Sequence, residues 1–313
     1  MSQAHSHHKH SGHDHAGHDH GASSHGERRL LIAFLLTVLT LLVEAIGGWL
    51  SGSLALLADA GHMLVDALAL LLAWGGAYMA RRPADARRSF GYARMEVLAG
   101  YTNALTQFAL AAWIVYEAAL RLAHPLPIRS GLMLAVAVAG LAVNALVLRV
   151  IGTHAHDDVN AAGARLHVLG DLLGSLAAVS AALLIRYFGW LEADPALSVV
   201  VALLIVVSAW NLLRRSAHIL LEGTPDDMQA VDVAGAIERE TGIGGVHHVH
   251  VWQLAGGRRV ATLHAQVPAQ ADAHTALTAV QRVLRERFGI AHATVQIEQT
   301  ECATADCDGD RGH

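Results

Sequence analysis

The sequence predicts an α-helical membrane protein, a bundle of six transmembrane helices followed by a small cytosolic α+β domain. Hydrophobic residues make up 53% of the chain and charged residues only 16%, whereas about 25% of the residues in a soluble domain are charged. The apolar residues form long blocks between Leu30 and Leu221, and both ends of the chain are polar. This distribution is typical of a membrane region flanked by soluble segments.

Six apolar segments are each long enough to cross about 30 Å of hydrocarbon, which takes about 20 helical residues. Helix breakers separate them, among them Ser51-Gly52, Pro83 and Asp194-Pro195. The segments are 30–50, 54–80, 95–121, 130–152, 160–186 and 195–214. Together they define a transmembrane domain over residues 28–221.

Arginines predict the orientation of this domain. The loop after the second segment carries Arg81, Arg82, Arg87, Arg88 and Arg94, whereas the loops on the opposite side hold few positive charges. By the positive-inside rule we expect both termini in the cytoplasm. The location we expect for this multi-pass protein is the cytoplasmic (inner) membrane.

The two polar ends differ in character. Residues 1–27 contain HSHHKHSGHDHAGHDHGASSHG, a low-complexity segment that we expect to be a disordered cytosolic tail of weak metal ligands. An expression tag is the alternative, but Ser, Gly and Asp separate these histidines. The formal net charge is −5 and there is no dense Lys/Arg stripe, which argues against nucleic acid as a partner.

Residues 222–300 predict a compact αββαβ module, similar in layout to metallochaperones. Helices are expected at 227–241 and 272–288, and strands at 246–254, 259–267 and 292–299, with a turn at Gly256-Gly257 between the first two strands. Residues 301–313 form a flexible tail that carries Cys302 and Cys307.

Two predicted membrane helices carry matching pairs of metal-binding side chains. His62 and Asp66 lie in segment two, and His167 and Asp171 in segment five. Residues four apart share one helix face, so the two faces together offer two imidazoles and two carboxylates. Such a set suits tetrahedral zinc.

The cost of burying these carboxylates supports a cation site. Each Asp at the centre of a membrane helix costs about 2.5–3.5 kcal/mol, and no Lys or Arg lies in the centre of either segment. The alternative is that each side chain only hydrogen-bonds a neighbouring helix. Two matching pairs on separate spans make that interpretation the weaker one.

Other polar groups lie at membrane depth. Asp59, one turn before His62, could extend the ion path or cap the start of its helix, and the sequence does not decide between these roles. We expect interhelical hydrogen bonds rather than metal ligation from Glu44, Asn103, Gln107, Asn144 and Asn160.

Zinc needs neutral imidazole and ionised carboxylate, so protons compete with it at such a site. A site that opens alternately to the two sides of the membrane could therefore exchange zinc for protons. The sequence contains no G-x-x-x-x-G-K-[ST] run, which argues against a P-loop pump.

These residues resemble the cation diffusion facilitator family, in particular its bacterial zinc exporters. The most specific matches are SGSLALLADAGHMLVDALALLLA, SFGYARMEVLAG, ARLHVLGDLLGS and VHHVHVWQL. The resemblance covers nearly the whole chain. It implies a homodimer that exchanges zinc for protons, with zinc both as transported substrate and as a regulatory ligand.

The resemblance also implies a metal site in the cytosolic domain. The matching positions are His247, His264, His274 and Glu298, and Cys302 and Cys307 resemble C-terminal thiols of some relatives. His250 and Trp252 are expected to pack, and for each single His a surface or packing role stays open. Because His247 and His248 have opposite strand parity, we expect only one of them to join His264.

The sequence departs from the family pattern in the loop after segment two. Asp85 is present, but Arg88 and Tyr92 occupy the apparent His positions, so we expect no metal there.

Two other functions are compatible with parts of the sequence. In a membrane-anchored zinc sensor the spans would serve only as an anchor, yet an anchor needs no His-Asp pairs. An intramembrane metalloprotease would need an H-E-x-x-H run, which the sequence lacks. The sequence therefore predicts a secondary transporter rather than an enzyme.

Overall fold

The structure is a computed structural model that describes residues 21–152 and 159–299. Side chains are described for residues 35–149, 169–254 and 256–299. The N-terminal histidines up to His20, and Cys302 and Cys307 near the C-terminus, lie outside the described residues.

Six long helices form the first part of the chain, as predicted. They are α1 (Gly21–Ser51), α2 (Leu54–Ala80), α3 (Met95–Ala123), α4 (Ser130–Gly152), α5 (Val159–Phe188) and α6 (Ala193–Leu220). Four of them contain stretches long and apolar enough to cross a membrane, namely Leu54–Ala80, Ser130–Arg149, Leu169–Phe188 and Ala193–Leu220. Leu35–Ser51 of α1 is a shorter apolar stretch.

Helix α2 lies at the centre of the bundle, where it packs against α1, α3, α5 and α6. Small residues dominate the buried contacts, for example Ala58, Ala111, Ala178 and Ala202, and such residues let helix backbones approach closely. Some large apolar side chains, such as Trp74, are exposed instead. Helix α2 therefore presents Asp59 and small residues such as Ala58 to other helices, and Trp74 to the surface.

A carboxylate from another helix holds the start of α2 in place. Asp194, at the beginning of α6, is fully buried and accepts hydrogen bonds from Ser53 Oγ at 2.6 Å, Leu54 N at 2.7 Å and Ala55 N at 3.1 Å. The Ser53 hydroxyl in turn accepts from Leu56 N. These bonds satisfy backbone N–H groups that would otherwise lack partners at the helix start, and they join α2 to α6.

The C-terminal domain has the predicted αββαβ order. It comprises α7 (Ala230–Thr241), β1 (Val246–Gln253), β2 (Arg259–Gln266), α8 (Ala273–Phe288) and β3 (His292–Glu298). Strand β2 is central, antiparallel to β1 and parallel to β3. Residues such as Val233, Ile237, Leu263, Val280 and Leu284 form a core between the helices and the sheet.

Several helix ends differ from the sequence-based bounds. Helix α1 begins at Gly21, inside the segment predicted as a disordered tail, and α6 continues to Leu220, well past residue 214. Hydropathy marks only the apolar length of a helix. Each further residue adds a backbone hydrogen bond once a helix has formed, so a helix can extend through polar residues such as Arg214 and Arg215.

The two domains touch at the loop between α2 and α3. Arg94 donates to Glu222 Oε1 at 2.7 Å. The Phe90 ring packs edge-on against His292, with 5.8 Å between ring centroids. The aromatic contact thus links this loop to β3 at the edge of the sheet, and the charged contact links it to the segment between α6 and α7.

Candidate metal sites

Three of the four predicted membrane ligands have described side chains, and they converge between α2 and α5. His62 Nε2 lies 3.4 Å from Asp66 Oδ2, one turn along α2, and 3.9 Å from Asp171 Oδ1 on α5. The side chain of Asp171 is only 8% exposed, and those of His62 and Asp66 are 15% and 18% exposed. One imidazole nitrogen thus faces carboxylates from two helices, an arrangement that a divalent cation can bridge.

The fourth predicted ligand, His167, lies on α5 one turn before Asp171. Its side chain is outside the described residues. The helix around it is described, and residues four apart share one helix face.

A third helix contributes a hydrogen bond to this group. Gln107 on α3 is nearly buried, and its Nε2 donates to Asp66 Oδ1 at 3.1 Å. The bond agrees with the interhelical role predicted for Gln107. A donor to one carboxylate oxygen holds the group in orientation and leaves the other oxygen toward His62.

The structure decides between the two roles considered for Asp59. Ser53 and Asp194 cap α2, so Asp59 is not the cap. Asp59 is 1% exposed, and its Oδ2 accepts from Ser175 Oγ on α5 at 3.3 Å. Asn144 of α4 donates to the same hydroxyl at 3.0 Å. Asp59 therefore belongs to a buried polar network beside the His-Asp group.

A second cluster lies on the sheet of the C-terminal domain. Potential ligand atoms of His247, His248 and His264 all lie within 4.8 Å of one another, and the centroids of the three rings are 5.0–5.2 Å apart. Three imidazole nitrogens at this spacing can share one zinc ion.

A β-bulge brings the two adjacent histidines to the same side. His247 pairs with His264 and His250 pairs with Thr262, so an extra residue lies in β1 between these pairs. His248 has a φ of 49° there. Because a bulge breaks the alternation of side chains, the expectation that only one of His247 and His248 could join His264 is wrong.

Glu298 joins this cluster from the end of β3. Its carboxylate is 8% exposed and lies 3.0 Å from His264 Nδ1 and 3.4 Å from His247 Nε2. Gln296 Nε2 donates to Glu298 Oε1 at 2.8 Å. The other His247 nitrogen, Nδ1, lies 2.8 Å from Gly245 O. That contact orients the ring and directs Nε2 toward the cluster.

The structure does not bring every predicted cytosolic residue to this cluster. His274 is exposed at the start of α8 and is not part of the described group of ligand atoms. Strand pairing cannot bring it in, because it lies on a helix. His248 takes its place in the set. The adjacent histidines in VHHVHVW indicated His248 as a candidate ligand. The alternation of side chains in a regular strand, however, predicted that His247 and His248 lie on opposite faces.

In the loop after α2, Asp85 accepts hydrogen bonds from residues of the same turn. The backbone N–H groups of Arg87 and Arg88 each donate to Asp85 Oδ1 at 2.8 Å, and the Tyr92 hydroxyl donates to Oδ2 at 3.2 Å. These bonds, first of all that from Arg87 N–H, hold the pKa of Asp85 below its usual value. The guanidinium of Arg88 also lies over the Tyr92 ring, 4.6 Å from its centroid.

Comparison with known proteins covers almost the whole chain. Residues 30–221 match the family described as the cation efflux transmembrane domain, and residues 225–300 match the cation efflux protein cytoplasmic domain. The second match indicates a homodimer, because this is the family's dimerisation domain.

Curated relatives align over most of their lengths. "Zinc transporter ZitB" of Escherichia coli (strain K12) is 45% identical over 91% of this chain and 93% of its own. "Metal cation efflux system protein CzcD" of Cupriavidus metallidurans is 40% identical over 90% and 89%. The "Cadmium, cobalt and zinc/H(+)-K(+) antiporter" of Bacillus velezensis is 39% identical over 86% and 87%.

Among solved structures, the metal-bound C-terminal domain of the CzcD transporter is 25% identical, with a TM-score of 0.21, and covers 23% of this chain and 99% of that one. The sequence matches show which family the chain belongs to. The chain belongs to the cation diffusion facilitator family of cation efflux membrane transporters, with a transmembrane domain over residues 30–221 and the family's cytoplasmic domain over residues 225–300.

Proposed function

We propose that this protein exports Zn²⁺ from the cytoplasm in exchange for protons, by alternating access at a site formed by His62, Asp66, His167 and Asp171. The single observation that carries the proposal is the convergence of His62 Nε2 with carboxylates from α2 and α5, at 3.4 and 3.9 Å. The names of the relatives support zinc as the substrate.

The chemistry of the ligands supports proton exchange. Zinc binds ionised carboxylate and neutral imidazole, so acid on the release side displaces it and protons occupy the same groups. Each pH unit supplies about 1.4 kcal/mol per proton, and 100 mV supplies about 2.3 kcal/mol per charge. Inward movement of protons can therefore offset the electrical cost of moving a divalent cation outward.

The proposed topology has six crossings with both termini in the cytoplasm. The arginines between α2 and α3 support it. The contact of this loop with β3 of the C-terminal domain supports a place for both on the same side of the membrane. The N-terminal histidines would then lie at the cytoplasmic mouth and raise the local zinc concentration there.

We assign a regulatory zinc site to His247, His248, His264 and Glu298 in the cytosolic domain. Cys302 and Cys307, a few residues after β3, could reach this site in either subunit of the dimer. Zinc that binds only the folded dimer stabilises it.

Transport of zinc into sealed vesicles containing pure protein tests the proposal. Asp171→Asn keeps the size of the side chain and removes its charge, so we expect zinc uptake to fall to background while the dimer stays folded. Thr106→Val is a matched control on α3, because the Thr106 hydroxyl donates to Thr102 O of its own helix.

The driving force is tested in the same vesicles. A collapsed pH gradient should slow uptake, and ATP should have no effect. Wild-type rates from Asp171→Asn would contradict the site, and stimulation by ATP without dependence on pH would contradict the exchange. A zinc sensor with anchor helices would show no uptake in any of these experiments.

A further inference from the structure

A second pair of carboxyl groups lies inside the membrane bundle, apart from the four proposed zinc ligands. Glu44 of α1 is fully buried, and Asp59 of α2 is 1% exposed. The two side chains lie within hydrogen-bonding reach of each other. Both are about two helical turns from the tight connection between α1 and α2, so they sit at the same depth.

Glycines on two neighbouring helices leave room for the pair. Gly140 on α4 leaves room for Glu44 Oε1, which a methyl group at that position would overlap. Gly174 on α5 does the same for Asp59 Oδ1, which lies 2.8 Å from where a Cβ would stand. Two glycines on two further helices thus make space for these carboxyl groups.

Among the described residues, only Asp59 of the pair accepts a hydrogen bond from a donor outside the pair. Asp59 Oδ2 accepts from Ser175 Oγ at 3.3 Å. Among the described residues, neither Glu44 oxygen has a donor unless the Asp59 carboxyl provides one. Two ionised carboxylates are both acceptors and repel each other. A single shared proton turns this contact into an O–H···O⁻ hydrogen bond, which is among the stronger kinds.

Among the described side chains, few charged groups face the pair. On α2 the nearest is His62, one turn after Asp59, and on α5 it is Asp171, whose charge reaches both carboxyl groups. The described side chains of α4, residues 130–149, include no ionisable group before Arg149 at the far end. A proton is therefore the simplest charge that satisfies both Glu44 and Asp59.

We propose that Glu44 and Asp59 form a proton-binding pair that carries one counter-proton on groups that do not ligate zinc. The inference rests on the proposed zinc/proton exchange. Ser175, one turn after Asp171 on α5, connects the pair to the zinc site. When zinc arrives, its two positive charges favour two ionised carboxylates. The O–H bond of the pair breaks, the proton leaves, and no other bond changes. When zinc departs, the pair takes up one proton again.

The test measures protons released on zinc binding to the full-length protein in detergent. Zinc is titrated by calorimetry in buffers of different ionisation enthalpy, with wild type and Glu44→Gln. The cytosolic cluster contributes equally to both and cancels. We expect Glu44→Gln to release about one proton fewer per zinc at the membrane site, and the slope of log Kd against pH to fall by about one.

Thr40→Val is the matched control, because Thr40 is buried one turn before Glu44 and cannot titrate. It should keep the wild-type proton count. An unchanged count in Glu44→Gln overturns the proposal. So does a loss of bound zinc from that variant, because Glu44 would then be a ligand.

Infrared difference spectra keep the proposal falsifiable if Glu44→Gln does not fold. Zinc-free wild type should show the carbonyl stretch of a protonated carboxyl group, which zinc should remove. Absence of that band overturns the proton pair. Neither measurement requires transport, so failure of zinc uptake in vesicles would contradict the exchange mechanism separately.

Discussion

Replacing His248 by glycine should weaken the stabilisation that zinc gives the cytosolic domain without destabilising the domain in the absence of zinc. His248 has a φ of 49° at the bulge of β1. A residue with a Cβ costs about 1–2 kcal/mol in this left-handed region. Glycine removes that strain, but its greater freedom in the unfolded chain lowers the free energy of unfolding by about 0.5–1 kcal/mol. Without zinc, His248→Gly should therefore leave the free energy of unfolding unchanged or raise it by up to about 1.5 kcal/mol.

With zinc the same change should reduce the stabilisation that the metal adds. At a zinc concentration of 100 times Kd, binding adds about 2.7 kcal/mol to the stability of the wild type. The loss of an outer-shell partner weakens metal binding by about 10–100-fold, and the loss of a direct ligand should weaken it at least as much. The zinc contribution then falls to about 1.4 kcal/mol or less.

The assay is thermal melting of a fragment from residue 222 to 313, which contains its own hydrophobic core. In a domain of this size about 1 kcal/mol shifts the Tm by about 4–8 °C. His250→Gln is the control, since His250 is exposed on the same strand and outside the cluster. If His248→Gly keeps the wild-type zinc stoichiometry and zinc-induced Tm shift, the bulge does not serve a metal site.

Three further predictions follow from other contacts. Asp194→Ala removes the acceptor of three hydrogen bonds at the start of α2 and should cost about 3–5 kcal/mol, as other losses from buried charged networks do. The fraction of intact dimer after heating in detergent measures this, and a wild-type profile would contradict the anchoring role. Gln107→Leu removes the donor to Asp66 and should weaken zinc binding about 10–100-fold, whereas Asn103→Leu on the same helix should not. Calorimetric affinities that do not differ between these two variants would count against an orienting bond. Asp272 caps α8 through Thr275 N–H, and its pKa is lowered, mainly by its hydrogen bond with the Thr275 side chain. Because the folded pKa lies below the unfolded one, the cap contributes fully above about pH 4 and is lost as pH falls through the folded value. The Tm difference between wild type and Asp272→Ala should therefore shrink below about pH 4, and a difference that grows there would contradict this assignment.

Features that depend on a single helix or strand could be predicted from the sequence. The six long helices and the αββαβ order follow from the length of apolar runs, from breakers and from alternation, which are local patterns. The pairing of His62 with Asp66 follows from helix periodicity alone. That Asp171 comes to the same place required only the assumption that two polar faces meet inside a bundle.

Features that depend on contacts between elements were predicted less well. Asp59 had two possible roles in the sequence, and only the cap formed by Ser53 and Asp194 excluded one of them. Glu44 had been expected to make an ordinary interhelical hydrogen bond. Its burial against Asp59, with room provided by Gly140 and Gly174, depends on how four helices pack together.

The sequence by itself determined the membrane character, the order of the elements and three converging side chains of the proposed membrane site, because hydropathy and periodicity are properties of one segment at a time. Tertiary structure alone decided that His248 joins His247 and His264, that Asp194 anchors α2, and that Glu44 lies against Asp59. A bulge, a cap from a distant helix and a shared cavity each depend on atoms far apart in the chain. Packing brings these atoms together, and no local pattern encodes where they meet.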